Sequence, residues 1–292
     1  MNIITLLLPY QPPWDWQQFH GHFALRAIPG LESLRADSYS RGFSLDGAPG
    51  WFRVAPLPGQ NALELRCRLA SPAHLDLLEQ RVRRMFDLDC EPAAITRHLS
   101  ADPLLAPLLQ RNPGLRLPVA FDPFEQAVRA IVGQQVTVKA AVTITGRLLQ
   151  RLGTPIETPQ TLGIKRLFPT PQALAEADLT GIGMPGKRVQ CLQYFAACIA
   201  EGSLKLDLEE GSAVLIERLC ALPGIGPWTA EYIALRAFGE ADAFPASDLG
   251  LLKAPVWGIG GIDARRLKAR AEAWRPWRAY AAAHLWHCYL GG

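Results

Sequence analysis

The sequence predicts an α+β protein, in which an N-terminal antiparallel sheet with helices on one face precedes a large helical part. Short β-type runs separated by Gly, Pro and Asn are confined to residues 1 to about 98. From about residue 99 helical periodicity takes over, and the linkers carry the Pro and Gly that end helices. A chain of 292 residues, 49% hydrophobic and 20% charged, has room for two domains and a substantial core. We therefore predict domains at 1–98 and 99–292.

Four runs of β character define the predicted sheet: Ile3–Leu8, Tyr39–Leu45, Trp51–Ala55 and Leu63–Leu69. The last run alternates apolar and polar residues, which is typical of a strand with one face in water. Two helical patterns lie among these runs, at Trp14–Ala27 and Ala73–Met85. The combination indicates an antiparallel sheet covered by helices on one face.

Ten further helical patterns follow, each with apolar residues at helical spacing. They span Leu104–Gln110, Pro123–Val132, Thr137–Leu152, Pro171–Ala177, Arg188–Glu201, Ala213–Leu222, Thr229–Phe238, Leu249–Ala254, Asp263–Trp274 and Ala279–Tyr289.

Net charge, cysteine spacing and hydropathy indicate where the protein acts in the cell but do not decide its function. A net charge of +3 permits DNA binding but does not require it. The six cysteines form no C-x-x-C pair, which argues against structural zinc and fits a reducing cytoplasm. The apolar run Ile3–Leu8 is too short to span a membrane, and no cationic region precedes it. We expect a cytoplasmic protein with no membrane partner.

The stretch Leu222–Ala230 (LPGIGPWTA) predicts a tight turn between two helices. Pro223 is expected to end the first helix, and Gly224 and Gly226 to adopt backbone angles that a side chain would forbid. The second helix then begins with free amides, which attract an anion such as a DNA phosphate. A Gly-x-Gly turn between helices is also often only a compact connection.

About twenty residues after the hairpin comes Ser247-Asp248-Leu249-Gly250. A single Asp before Leu-Gly is commonly a helix cap. A phosphate-binding hairpin followed by one acid, however, indicates chemistry on DNA.

This arrangement resembles the helix–hairpin–helix superfamily of DNA glycosylases, and within it the DNA-3-methyladenine glycosylase II branch. The order and number of the matching stretches carry the resemblance. Besides the hairpin they are Trp14–Trp16, Ala36–Tyr39, Leu115–Pro118, Phe124–Gln135, Phe168–Pro171, Gly183–Pro185 and Trp274–Tyr280.

The resemblance implies two helical lobes with an active site in the cleft between them, and Asp248 as the essential acid. The implied reaction is base excision: hydrolysis of the N-glycosidic bond of 3-methyladenine, 3-methylguanine or 7-methylguanine flipped out of duplex DNA. One carboxylate suffices because these alkylated bases are cationic and leave without protonation, whereas other glycosidases need a second carboxyl as acid. Asp248 would stabilise the charge on the sugar and orient water. Glu240 and Asp242 are interpreted as solvated loop charges.

Three aromatic residues, Trp228, Tyr232 and Trp286, match the family's base-stacking positions, and Gln134 is assigned to the same pocket. Electron-rich rings attract a cationic base more than a neutral one, by about 0.5–2 kcal/mol per contact. Without the resemblance, each ring would be interpreted as a core aromatic.

The remaining DNA contacts are also implied by the resemblance. Gln135 stands at the position of the wedge that fills the gap left by the flipped base, although the family's best-known pattern has an apolar residue there. An amide-rich helix cap is the alternative interpretation. Gly224, Gly226 and Thr229 are assigned to DNA binding through the hairpin. Lys187, Arg188 and Lys253 are candidate phosphate contacts or ordinary surface charges.

Features that the chain lacks narrow the reaction further. Relatives that also cut the backbone carry a nucleophilic lysine where Trp228 stands. Relatives with an iron–sulfur cluster carry four closely spaced cysteines after the catalytic helix, where this chain has only Cys288. We expect a monofunctional enzyme in which no side chains bind a metal ion. The resemblance also implies a monovalent cation bound by backbone carbonyls of the hairpin. The expected partner is duplex DNA with alkylated bases, bound by a monomer.

Two other functions compete with this prediction. An oxidised-base glycosylase would require a lysine nucleophile at position 228 and a pocket for a neutral base. A non-catalytic DNA-binding module would use the hairpin alone, and would need neither the aromatic residues nor Asp248.

Overall fold

The computed structural model describes residues 3–291. Its N-terminal part contains a five-stranded antiparallel sheet of order β1-β5-β4-β3-β2, with strands Ile4–Pro9 (β1), Glu32–Arg35 (β2), Ser38–Leu45 (β3), Ala48–Pro56 (β4) and Ala62–Leu69 (β5). The four predicted strands are present within three residues of their predicted ends. The short edge strand β2 was not predicted.

Helices make up most of the remaining structure. They span Trp16–Ala24 (α1), Leu75–Met85 (α2), Pro92–Leu99 (α3), Ala106–Arg111 (α4), Pro123–Val132 (α5), Val138–Leu152 (α6), Pro171–Glu176 (α7), Gly186–Ala200 (α8), Ser212–Cys220 (α9), Pro227–Phe238 (α10), Leu249–Leu252 (α11), Ala264–Ala271 (α12) and Arg278–Tyr289 (α13). The α+β fold class is confirmed. Helix α3 is an addition to the predicted set. No helix within residues 3–291 is long and apolar enough to cross a membrane.

One face of the sheet is covered by α1 and α2. Phe19 and Phe23 of α1 join Val82 of α2 in a single core with the sheet residues Leu63 and Leu65. The alternation predicted along β5 is real, since Leu63, Leu65, Cys67 and Leu69 are all buried. The helices therefore lie on one face, as the sequence predicts. The domain boundary at residue 98 stays a prediction.

Helix α10 joins two separate helical cores. Ala230, Ile233 and Ala237 pack into the core that includes α5, α6, α8 and α9. Ala234 and Leu235 pack into the core formed with α4, α12 and α13. Two faces of α10 thus pack against the two cores, and a third face lines the cleft described below.

A network of buried charges connects the sheet to α5. Arg41 of β3 lies 2.6 Å from Glu125, and Arg129 lies 2.5 Å from Glu32 of β2 and 2.6 Å from Glu125. Tyr39 donates a hydrogen bond of 2.6 Å to Glu32. Burying unpaired charges is very costly, so these groups stabilise the fold only as a complete set. The network fixes the sheet domain against the helix that forms one wall of the cleft.

Candidate active site

A cleft of about 1430 Å³ lies where the sheet domain meets the helices. This volume exceeds the roughly 300–1,000 Å³ of ordinary small-molecule pockets. Its walls come from α1, α5, the loop 133–137, the hairpin, α10, the turn before α11, and α13. The predicted residues Trp228, Tyr232, Asp248 and Trp286 all line it, together with Gln134.

Asp248 is the N-cap of α11. Its Oδ1 accepts hydrogen bonds from the backbone amides of Gly250, at 2.9 Å, and Leu251, at 3.3 Å. The capping interpretation of this residue is therefore correct. The cap also fixes the carboxylate on the wall of the cleft, so capping and a functional role are compatible.

Two indole rings also hold this carboxylate. Trp286 Nε1 donates to Oδ1 at 2.8 Å, and Trp228 Nε1 donates to Oδ2 at 3.0 Å. Oδ1 thus accepts three N–H groups, whereas Oδ2 accepts only one from residues 3–291. Oδ2 is the oxygen left with free capacity for water or substrate. The sequence interpretation assigned both rings to stacking and missed their N–H groups.

The three aromatic rings meet around Asp248. Trp228 and Tyr232, one turn apart on α10, stack with ring centroids 5.1 Å apart and an interplanar angle of 13°. Trp286 meets Tyr232 edge-on, at 6.3 Å and 78°. Trp228 and Tyr232 therefore cover one face of each other, and a base entering the cleft has only the outer faces available.

Arg236 extends the same stripe of α10 by one more turn and was missed in the sequence. Its guanidinium carbon lies 4.8 Å from the ring centroid of Trp286 and 5.9 Å from that of Tyr232. Burial lowers the pKa of Arg236 to about 10, so the side chain remains charged at neutral pH. A cation consequently covers one face of Trp286. The spacing of residues 228, 232 and 236 was the signal that could have identified it.

The hairpin differs from its prediction in two respects. Helix α9 ends at Cys220, before Pro223. Gly224 has φ +87°, whereas Gly226, the N-cap of α10, has φ −95°, an angle open to any residue. The expectation that both glycines need forbidden angles is therefore wrong for Gly226.

We expect Gly224→Ala to destabilise the fold and Gly226→Ala to leave it unchanged. A Cβ on Gly224 would lie 2.9 Å from Cys191 Sγ, while one on Gly226 meets no atom within 4 Å. The positive φ alone costs roughly 1–2 kcal/mol for a residue with a Cβ. Urea unfolding of both variants measures the difference. Equal free energies of unfolding would contradict this account of the turn.

Gln134 connects the neighbouring loop to the hairpin. Its Nε2 donates to the carbonyl of Gly224 at 3.0 Å and to Thr229 Oγ1 at 3.1 Å. Thr229 is buried. Its assignment to DNA binding through the hairpin stays a prediction. Gln135 is exposed beside the cleft and has φ +55°, an angle that Gln seldom adopts.

Among the charged candidates, only Asp242 departs from its interpretation. Asp242 is half-buried and forms ion pairs with Arg275 and Arg278, so it is not a solvated loop charge. Lys187, Arg188 and Lys253 are not among the described residues that line the cleft. Between residues 3 and 291, no group of three His, Cys, Asp or Glu side chains is arranged to hold a metal ion.

Fold and site together define a class of protein: a helix–hairpin–helix protein with a capping aspartate in an aromatic cleft. Residues 5–122 match the family model of the AlkA N-terminal domain, and residues 128–279 match the HhH-GPD superfamily base excision DNA repair proteins. The chain belongs to the HhH-GPD superfamily and, within it, to the family of DNA-3-methyladenine glycosylase 2.

Curated relatives support this membership. The chain is 35% identical over 285 residues to DNA-3-methyladenine glycosylase 2 of Escherichia coli, covering 96% of each chain. It is 40% identical over 286 residues to a probable bifunctional transcriptional activator/DNA repair enzyme AlkA of Mycobacterium tuberculosis. That match covers 97% of this chain but spans only 56% of the relative's length.

Solved structures show the same fold. A 3-methyladenine DNA-glycosylase from Archaeoglobus fulgidus superimposes with a TM-score of 0.83 at 22% identity, covering 98% of both chains. A Schizosaccharomyces pombe 3-methyladenine DNA glycosylase in complex with abasic DNA superimposes with a TM-score of 0.56 at 26% identity. It covers 66% of this chain and 95% of the other.

Proposed function

We propose that the protein is a monofunctional DNA glycosylase that hydrolyses the N-glycosidic bond of 3-methyladenine, 3-methylguanine and 7-methylguanine in duplex DNA. The observation that carries this proposal is the carboxylate of Asp248, which is held by two indoles and two amides on the wall of an aromatic cleft. The adjacent hairpin and the names of the relatives support DNA as the partner.

The chemistry requires only one carboxylate. When the bond between C1′ and the base nitrogen breaks, its electron pair neutralises the cationic base, and positive charge develops on the sugar. Asp248 Oδ2, with one protein donor, faces that charge and orients the attacking water. Preorganised electrostatic groups of this kind contribute on the order of 10²–10³ in rate.

The aromatic rings then have two roles in this proposal. Their faces receive the extruded base, and the N–H groups of Trp228 and Trp286 keep the carboxylate in position. Arg236 lies against Trp286 and Tyr232, so the cationic base stacks on the faces that Arg236 leaves open. Cation–π attraction favours such a base over a neutral one.

DNA is bound at the rim of the cleft. We assign Gln135 as the wedge because it is exposed there with a strained backbone, a feature that clusters at functional sites. The N-terminus of α10, with Gly224 and Gly226 before it, is the proposed phosphate site. The expected monovalent cation stays a prediction; one hairpin carbonyl, that of Gly224, already accepts a hydrogen bond from Gln134.

We expect the purified protein to release free 3-methyladenine and 7-methylguanine from methylated duplex DNA. Chromatography of the ethanol-soluble fraction measures each base directly. The absence of every methylated base would contradict the glycosylase function and favour a DNA-binding module.

The DNA strand should remain intact after the base departs. No lysine within residues 3–291 lines the cleft, and the indole of Trp228 cannot form the imine that strand cleavage requires. Borohydride added during turnover should trap no covalent complex, and strands should break only on heating in alkali. A trapped adduct that disappears in Lys253→Ala would instead favour the oxidised-base alternative.

A further inference from the structure

Helix α1 presents one face to the cleft. Gln18, Gly21 and His22, spaced as neighbours on a helix surface, line the same cavity as Tyr232 and Trp286. The glycine leaves space beside His22, since a Cβ there would meet no atom within 4 Å. The sheet domain thus contributes a polar side chain to the cavity that also contains the rings of Tyr232 and Trp286.

The imidazole of His22 has unused hydrogen-bonding capacity. Among residues 3–291, no protein group forms a hydrogen bond with either of its ring nitrogens, and the ring makes an edge contact with Phe23 at 5.5 Å and 87°. His22 is half-buried, and neither ring nitrogen is fully enclosed by protein, so a neutral donor or acceptor there can be reached from the cleft. A ligand atom in the cleft is well placed to supply that partner.

The ring is neutral at physiological pH. Burial, followed by the charges of Arg26, Arg236 and Arg129, lowers the pKa of His22 well below its ordinary value. A neutral imidazole offers one N–H donor and one acceptor nitrogen. It also does not repel a cationic base, as a protonated ring would.

The surroundings favour one type of ligand atom. Arg26 and Arg236 have no carboxylate partner among the described residues, and both line this end of the cleft with His22. Their charges make this end electropositive, and an electron-rich carbonyl oxygen is stabilised there more than an amino group.

We propose that His22 is a specificity-determining residue that donates a hydrogen bond to the O6 carbonyl of an extruded alkylated guanine. The proposal rests on the base-excision function proposed above. Methylated adenines carry an amino group at the same position, so they cannot accept this bond. His22 would therefore set the ratio in which the two purines are excised without taking part in bond cleavage.

The test compares 3-methylguanine and 3-methyladenine, which carry the same alkyl group and are released from the same methylated DNA in one reaction. In His22→Phe we expect the ratio of released 3-methylguanine to 3-methyladenine to fall about 5- to 10-fold, as expected for one lost hydrogen bond. Release of 3-methyladenine should stay within about twofold. His22→Gln, which retains an N–H donor, should recover part of the ratio.

His20→Phe is the matched control, because His20 lies on the same helix but contacts the carbonyl of Arg35 and does not line the cleft. Its ratio should equal that of the wild type. Because both bases are measured together, the ratio does not depend on how much of a variant is folded. An unchanged ratio in His22→Phe, or the same change in His20→Phe, overturns the proposal. If the wild type releases neither base, the proposed function itself fails.

Discussion

Asp248→Asn is expected to lower the rate of base release by at least about 100-fold while the fold and DNA binding persist. The substitution removes the negative charge that the proposed mechanism places opposite the sugar. It also places an amide N–H₂ where one carboxylate oxygen now accepts an indole N–H from Trp228 or Trp286. The unpaired donor should cost about 1–3 kcal/mol of stability. Single-turnover release from methylated DNA measures the first effect, and urea unfolding measures the second.

Asp263→Asn is the matched control for this variant. Asp263 caps α12 by accepting from the amide of Arg266 at 2.9 Å, and it does not line the cleft. Base release by this variant should stay within roughly twofold of wild type, since surface substitutions have small effects. Release by Asp248→Asn within a few fold of wild type would remove Asp248 as the catalytic group.

Arg129→Met is expected to reduce the free energy of unfolding by about 3–5 kcal/mol, the usual cost of removing one partner from a buried ion pair. Arg129 pairs with both Glu32 and Glu125 and donates to the carbonyl of Arg26 at 2.8 Å. Without it, Glu32 loses its ion-pair partner, and the contact between the sheet and α5 is weakened. Urea unfolding, followed by tryptophan fluorescence, measures the loss.

Arg266→Met is the corresponding surface control. Arg266 forms an ion pair with Asp263 whose side chains are 82% and 58% exposed, and such pairs contribute at most about 1 kcal/mol. If Arg129→Met costs no more than Arg266→Met, the buried network does not hold the sheet domain on α5.

The parts of the fold that were predicted correctly have local signals. Helix α5 has the predicted bounds, and its start is set by Asp122, which caps it, and by Pro123 in its first turn. The missed strand lacks such signals. Strand β2, Glu32–Arg35, is mostly polar. Its Glu32 is buried in an ion pair with Arg129, which lies 2.5 Å away in space but 97 residues further along the chain.

The candidate site likewise has features that were predicted from the sequence and features that were not. The resemblance located Asp248 and the three aromatic residues, and the structure places all four in one cleft. The donation of two indole N–H groups to the carboxylate was not predicted, since Trp286 is 38 residues from Asp248. Gln134 was assigned to the base pocket, yet its amide is used on the hairpin. Neither Arg236 nor His22 was identified.

The sequence by itself determined the α+β class, most helix and strand positions, and the chain's resemblance to alkylation-repair glycosylases. These depend on periodicity, caps and short motifs, which act over a few residues. Only the tertiary structure decided which polar groups pair in the interior, which oxygen of Asp248 stays free, and that His22 faces the cleft. Those outcomes depend on contacts between distant segments, because a buried charge or N–H takes whatever partner the packing brings to it.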